Sequence, residues 1–210
     1  GIAPEKITTI LLGVSDAFGR EAAPSERDHL QANYGVGKRP FVLAVGTIQP
    51  RKNYGRLIRA LDRVREVVDV DLVLIGRTAW LAEPILEAAA SRDHVHLLGF
   101  VDDVDLPAFY RQAAVLALPS LYEGFGLEPL EAMACGTPVV ATSASSVPEV
   151  VGAAGLLIDP LDVPGWADAL IAVLTDPELR SDLTDRGFAR AATFTWRRAA
   201  EAWLQAITRV

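Results

Sequence analysis

Six short apolar runs recur along the chain: FVLAVG at 41–46, DLVLIG at 71–76, VHLLGF at 95–100, VLALPS at 115–120, TPVVAT at 137–142 and GLLI at 155–158. Each is short, lacks polar alternation and is bounded by turn residues, so each reads as a strand buried on both faces. Helical spacing fills the gaps. Residues 53–68 carry apolar side chains at 54, 57, 58, 61, 64 and 68, which is one face of a helix. Further helices are predicted around Ser25–Tyr34 and over 80–91, 105–113, 128–135, 162–175, 177–190 and 196–208. Strand–helix alternation with two-sided strands predicts a parallel sheet covered on both faces. The expected fold is a single α/β, doubly wound, Rossmann-like domain with a mostly parallel six-stranded sheet. Residues 7–12 (ITTILL) read either as a short strand or as an extended linker, and 13–16 as a turn.

Bulk properties narrow the classes. A chain of 210 residues fits one large domain or two small ones. Half its residues are hydrophobic and its charged fraction is ordinary, which describes a folded globular chain. A net charge of −7 argues against nucleic acid or an anionic membrane as the main partner. The single cysteine, Cys135, excludes an internal disulfide and a cysteine-based metal cluster. No run approaches the ~18 apolar residues of a membrane span, and the first residues show no basic-then-apolar signal pattern. A cytoplasmic protein without a transmembrane segment is expected.

In a doubly wound sheet, ligands bind beyond the carboxyl ends of the strands. That directs attention to 46–53, 76–80, 99–103, 119–128 and 142–148. The stretch SLYEGFGLEPLEAMACGT (120–137) places two acids, Glu123 and Glu131, seven residues apart in a small and apolar setting. Gly124 and Gly126 allow a sharp turn and close approach of a ligand. Pro129 suits the first turn of a helix and Gly136 its left-handed cap. The free N–H groups at the start of that helix favour an anion. Taken singly, Glu131 reads as a first-turn acid favouring the helix dipole and Glu123 as a solvated loop acid. Taken together at this sheet edge they indicate a polar ligand, since a carboxylate accepts two vicinal hydroxyls well. Arg51 and Lys52 precede Asn53, a residue type that caps helices. Cations there oppose the helix dipole. Either they point to water, or a phosphate group neutralises them, and the phosphate reading is preferred.

These segments together resemble the carboxyl-terminal, donor-binding half of the retaining GT-B glycosyltransferases of family 4, mannosyltransferases among them. The resemblance rests on EGFGLEPLE followed by AMACGTPVVAT, on VGTIQPRKN before the first long helix and on LGFVDDVDL, and spans roughly residues 7 to 205. It implies transfer of a sugar from a nucleoside diphosphate to an acceptor hydroxyl with retention. It implies that Glu131 binds the ribose hydroxyls and that Glu123 is the catalytic acid beside the donor sugar. Backbone groups of Phe125, Gly126 and Leu127 would hold the sugar or diphosphate. Lys52 would pair with the diphosphate, with Arg51 as a second cation where relatives carry Gly-Arg and this chain has Thr47. Gly99, Phe100 and Val101 would line the base pocket. Glu128 stands where relatives have proline, and its role is open. Gly13-Val14 resembles an interdomain linker, giving a division into linker (1–20), donor domain (21–195) and a crossing helix (196–210). No cofactor is implied: Asp69-Val-Asp71 and Asp103-Val-Asp105 read as strand ends and caps, and no metal is expected. His29, His94 and His96 read as surface or strand-edge residues. Implied partners are a GDP-, UDP- or ADP-sugar, GDP-mannose mildly favoured, and an amino-terminal acceptor domain absent from this chain. The resemblance also allows peripheral membrane association of the whole enzyme.

Other readings fare less well. A dinucleotide fingerprint wants a third glycine where Pro129 stands, and after the first strand, not the fourth. A P-loop fails because Gly37-Lys38 is followed by Arg39 and position 32 is alanine. A sugar-nucleotide epimerase of the same architecture, and a nucleotide-binding or scaffold domain without catalysis, remain as alternatives.

Overall fold

The computed structural model describes residues 3 and 6–208. The strands are β1 (Phe41–Val45), β2 (Asp71–Ile75), β3 (Val95–Gly99), β4 (Val115–Leu118), β5 (Val139–Thr142) and β6 (Leu156–Ile158). They form one sheet in the order β3-β2-β1-β4-β5-β6, every neighbouring pair parallel. The sheet is therefore wholly parallel. The helices among the described residues are α1 (Glu26–Tyr34), α2 (Tyr54–Val64), α3 (Glu83–Ala90), α4 (Leu106–Gln112), α5 (Leu127–Cys135), α6 (Val147–Val151), α7 (Val163–Thr175), α8 (Pro177–Ala191) and α9 (Trp196–Thr208). The short α6 was not predicted; it begins at the end of the segment 142–148 that the sequence places at the ligand edge of the sheet. Ser146 opens it and Pro148 lies in its first turn, a position that tolerates proline's missing N–H.

Side-chain alternation along the strands builds two cores. Phe41 and Leu43 of β1 and Leu116 and Leu118 of β4 face one cluster, with Phe109, Tyr110, Leu130 and Met133. Val42, Ala44, Val115 and Ala117 face the other, with Leu57, Ile58, Leu61 and Trp166. The α2 face predicted from spacing is the buried one: Leu57, Ile58, Leu61 and Val64 are fully buried. Each such side chain contributes roughly 1.5–3 kcal/mol of burial, so a wholly apolar strand between two helical layers is held from both sides.

Strand order reverses at β1, which pairs with β2 on one side and β4 on the other. Loops leaving β1 and β4 diverge to opposite faces, and a crevice opens between their carboxyl ends. Among the described residues the segment 7–12 has no sheet partner, so it is not a strand of this sheet. It leads to Val14, whose N–H donates to the Phe194 carbonyl at 3.0 Å. Gly13 makes this docking possible: a Cβ there would lie 2.2 Å from the Trp196 nitrogen.

Candidate functional site

The β1–α2 loop is built around a buried lysine. Residues Pro50–Lys52 form one 3-10 turn before α2. Lys52 is only 4% exposed, and its chain passes over Gly46 at the end of β1. A Cβ on Gly46 would lie 2.6 Å from Lys52 Cε, and the Gly46 φ of 135° is closed to most side chains. The next residue corrects an expectation. Asn53 makes no side-chain cap and holds a left-handed φ of 61°, which asparagine tolerates. Its Nδ2 donates instead to the carbonyls of Pro119 (2.9 Å) and Pro160 (2.7 Å). One amide thus ties the loops after β1, β4 and β6 together.

The β4–α5 loop meets it. Leu121 N–H donates to the Arg51 carbonyl at 2.8 Å, and Arg51 Nη1 donates to the Tyr122 carbonyl at 2.5 Å. The bend that follows is clamped from the β5–α6 loop. Glu123 N–H donates to Ser145 Oγ at 2.8 Å, while Ser146 Oγ donates to the carbonyls of Glu123 (2.9 Å) and Phe125 (3.0 Å). Helix α5 starts at Leu127, with Gly126 as its cap and Gly136 closing it. Among the described residues, the N–H groups of Phe125 and Gly126 have no main-chain acceptor.

Glu123 is not a solvated loop acid. It is 8% exposed, and its Oε1 accepts from Ser120 Oγ at 2.6 Å and lies 2.8 Å from Lys52 Nζ. Its Oε2 accepts from Arg51 Nη1 at 3.0 Å. Burial alone would raise its carboxyl, but the hydrogen bonds from Lys52, Ser120 and Arg51 outweigh burial and hold it below the usual carboxylate range. Lys52 Nζ also donates to Glu128 Oε1 at 2.7 Å. The position that departs from the family pattern is therefore the second counter-ion of the lysine. Arg51, Lys52, Glu123 and Glu128 form a charge-balanced cluster at the switch point. The cations do not simply point to water: Lys52 is enclosed, and Arg51 is partly exposed.

Glu131 lies in the second turn of α5, not the first, because the helix starts one residue earlier than predicted. Its Oε2 accepts from Tyr110 Oη of α4 at 2.6 Å. Burial pushes its carboxyl up to about 7; the Tyr110 bond pulls the other way, and the charges of Glu128 and Asp103 add to the rise. At the far end of the same sheet edge, Gly99 ends β3 and accepts from Gly76 N–H at 2.8 Å. The Val101 side chain is buried in the core, whereas Phe100 is exposed with the Arg77 guanidinium 4.9 Å above its ring. Thr47 is exposed on the β1–α2 loop. The structure thus unites Arg51, Lys52 and Glu123 in direct contact, sets Phe125, Gly126 and Leu127 beside them, and leaves Gly99 and Val101 on an outer strand's end.

The acid pairs and histidines take structural places. Asp69 and Asp71 pair with Arg39 and Arg65 at the opening of β2, where His96 also approaches Asp71 at 3.3 Å. Asp105 precedes α4 without capping it by its side chain, which accepts from His29 and Tyr34. His94 lies 3.9 Å from Asp62 on the same rim as Arg92.

A family model described as glycosyl transferases group 1 matches residues 26–190. The chain belongs to that family. It is 37% identical over 195 residues to O-antigen chain mannosyltransferase B of Escherichia coli, covering 90% of this chain and 51% of the relative. Sucrose-phosphate synthase from Thermosynechococcus elongatus superposes with a TM-score of 0.81 at 29% identity, covering 94% of this chain and 51% of that one. Anabaena HepE, solved with UDP and glucose, superposes at 0.84 and 23% identity, over 96% and 57%. This group 1 chain has the fold of a GT-B glycosyltransferase domain and spans about half the length of each of these relatives.

Sequence reasoning missed the roles of four contributors to this candidate site: Ser120, the Ser145–Ser146 clamp, the triple anchor of Asn53, and Tyr110. Ser145 and Ser146 had a signal, since small hydroxyl residues fall in a segment already marked as ligand-edge. Tyr110 had none, because its partner lies 21 residues away on another helix.

Proposed function

We propose that this chain is the donor-binding half of a retaining, family 4 glycosyltransferase. It takes a nucleoside-diphosphate sugar and passes the sugar to an acceptor hydroxyl held by an amino-terminal domain. The observation that carries this reading is the Arg51–Lys52–Glu123–Glu128 cluster at the switch point, with Lys52 and Glu123 buried, beside the N-terminus of α5. Residues 1–20 serve as interdomain linker, 21–195 as the donor domain and 196–210 as the helix returning to the partner domain. Apolar side chains exposed on both flanking segments, Leu11, Leu12, Trp203 and Ile207 among them, suit that contact.

The chemistry follows from the charges. The leaving diphosphate gains negative charge in the transition state. Lys52, Arg51 and the free N–H groups of Phe125 and Gly126 stabilise it in an enclosed setting, where preorganised donors count most. These cations supply the positive charge a metal would otherwise bring, so the reaction is read as metal-independent. Glu123, kept ionised by its neighbours, faces the oxocarbenium-like sugar as an electrostatic stabiliser. Glu131 accepts the ribose hydroxyls, and the β3 end with Gly99, Phe100 and Val101 receives the base. The mannosyl transfer named for the Escherichia coli relative favours GDP-mannose, for synthesis of a polysaccharide or glycoconjugate. In this reading the acceptor hydroxyl is held by a separate domain, so the chain by itself should bind donor weakly and transfer little.

The test joins this chain to an acceptor domain, supplies GDP-mannose and an oligosaccharide acceptor, and reads the product anomer by NMR. Retention is expected, with transfer lost in Glu123→Ala. An inverted product, or transfer indifferent to Glu123→Ala, contradicts the reading. Robust transfer by this chain alone contradicts the division of labour between the halves.

A further inference from the structure

We propose that Tyr110 is a positioning residue for nucleotide binding, fixing the Glu131 carboxylate so that its second oxygen meets the ribose diol. The proposal rests on the reading of Glu131 given above and goes beyond it. The ring of Tyr110 is fully buried, in the core that fills one face of the sheet. Its Oη nevertheless points at one partner, donating to Glu131 Oε2 at 2.6 Å. Among the described residues, no protein group hydrogen-bonds Glu131 Oε1, so one oxygen is committed and the other is left for a ligand.

The tyrosine is itself held. Phe18 packs edge-on against its ring at 5.6 Å between centroids, and Thr137 Oγ1 donates to its backbone carbonyl. Burial raises the phenol well above its ordinary range, and the nearby Glu131 and Glu128 carboxylates raise it further. It therefore stays a donor across the physiological range and favours the ionised carboxylate. Glutamate has three rotatable bonds, and a diol is bidentate. A carboxylate pinned at one oxygen loses less freedom when it binds than a free one does. The groups that bear on Glu131 are Tyr110 from α4, Glu128 from its own helix and Asp103 from the β3–α4 loop. Of these, Tyr110 alone favours the carboxylate.

The experiment is calorimetric titration of this chain and its Tyr110→Phe variant with GDP, UDP and ADP, and with their 2′,3′-dideoxy forms, between pH 5.5 and 8.5, the range of ~1.5 units either side of the shifted carboxyl. Phenylalanine keeps the packing and removes only the hydroxyl, and thermal melting checks the fold. The ribonucleotide that binds should weaken about three- to tenfold in Tyr110→Phe, the scale of one charge-assisted hydrogen bond. The dideoxy form should stay within about twofold. The midpoint of the pH dependence for the ribonucleotide should move upward, since the carboxylate loses its stabilising donor. In a Glu131→Ala background, which removes the acceptor, Tyr110→Phe should add nothing. Equal weakening of ribo and dideoxy forms, or no weakening, overturns the proposal while the donor site stands. No nucleotide binding by the unaltered chain removes the donor-site reading and this inference with it.

Discussion

Lys52 Nζ lies 2.8 Å from Glu123 Oε1 and 2.7 Å from Glu128 Oε1, joining two loops that leave adjacent strands in opposite directions. This one ammonium balances two carboxylates in a place where it is almost wholly enclosed. Its removal leaves Glu123 with Arg51 as its remaining direct cation and Glu128 with none among the described residues.

Lys52→Ala should therefore destabilise the chain by about 3 kcal/mol near neutral pH, the scale of a broken buried ion pair. The pH dependence has a definite sign. The Glu123 carboxyl is lowered in the fold, so its contribution is present above the unfolded carboxylate range and is lost as pH falls through its folded value. The penalty of Lys52→Ala should shrink toward acid pH. Urea unfolding of both proteins across that range checks it, and a penalty independent of pH contradicts the assigned pairing.

Glu131 should act in the opposite direction. Its carboxyl rises from 4.5 to about 7 in the fold. The folded state then binds more protons than the unfolded state between those values, so this group's contribution to stability falls as pH rises through the window. Glu131→Gln should remove that decline and gain on the parent by on the order of 1–3 kcal/mol at pH 8. Parallel unfolding curves at pH 5 and pH 8 decide it.

Two glycines near the site should respond in opposite ways. Gly46→Ala drives a Cβ to 2.6 Å from Lys52 Cε at a φ of 135°. It should cost about 1–3 kcal/mol in strain and displacement and dislodge the lysine from the cluster. Gly55 lies in the first turn of α2 with nothing within 4 Å of an added Cβ. Gly55→Ala should stabilise by up to about 1 kcal/mol. Thermal melts of the pair separate a glycine needed for close approach from one that is not.

Asn53→Ala should cost about 2–3 kcal/mol, since it frees the Pro119 and Pro160 carbonyls and leaves a non-glycine residue at a φ of 61°. Asn53→Gly loses the same hydrogen bonds without the backbone strain, and should cost roughly 1 kcal/mol less. Equal costs would mean that the amide's bonds alone matter.

The parts of this molecule that were legible in the sequence are those set by local spacing. Runs such as FVLAVG and DLVLIG announce β1 and β2 because both faces are buried, and the α2 stripe announces its buried side. Gly136 and Pro129 bound α5 to within one residue. Glu123 and Glu131 stood out as acids in a small, apolar, glycine-rich stretch, and Arg51 and Lys52 as cations where the helix dipole disfavours them. What those partners are was not legible. Lys52 and Glu128 are 76 positions apart, and Asn53 and Pro160 107. Only the strand order, which sets β1 beside β4 and brings the loop after β6 over the same carboxyl edge, joins them. Asn53 misled for a physical reason: asparagine suits both a helix cap and a left-handed turn, and the choice is made by carbonyls from distant loops. Tyr110 gave no local signal, since its ring is buried and only its hydroxyl reaches Glu131.

The central claim is that the cluster around Lys52 receives the diphosphate of a nucleotide. Calorimetric titration of this chain with GDP, UDP and ADP, alongside Lys52→Ala, tests it most directly. The account predicts saturable binding of one nucleoside diphosphate, weakened at least about tenfold by Lys52→Ala, the worth of a charge-assisted contact to phosphate. Binding of equal strength in Lys52→Ala, or none by any of the three nucleotides, would contradict it.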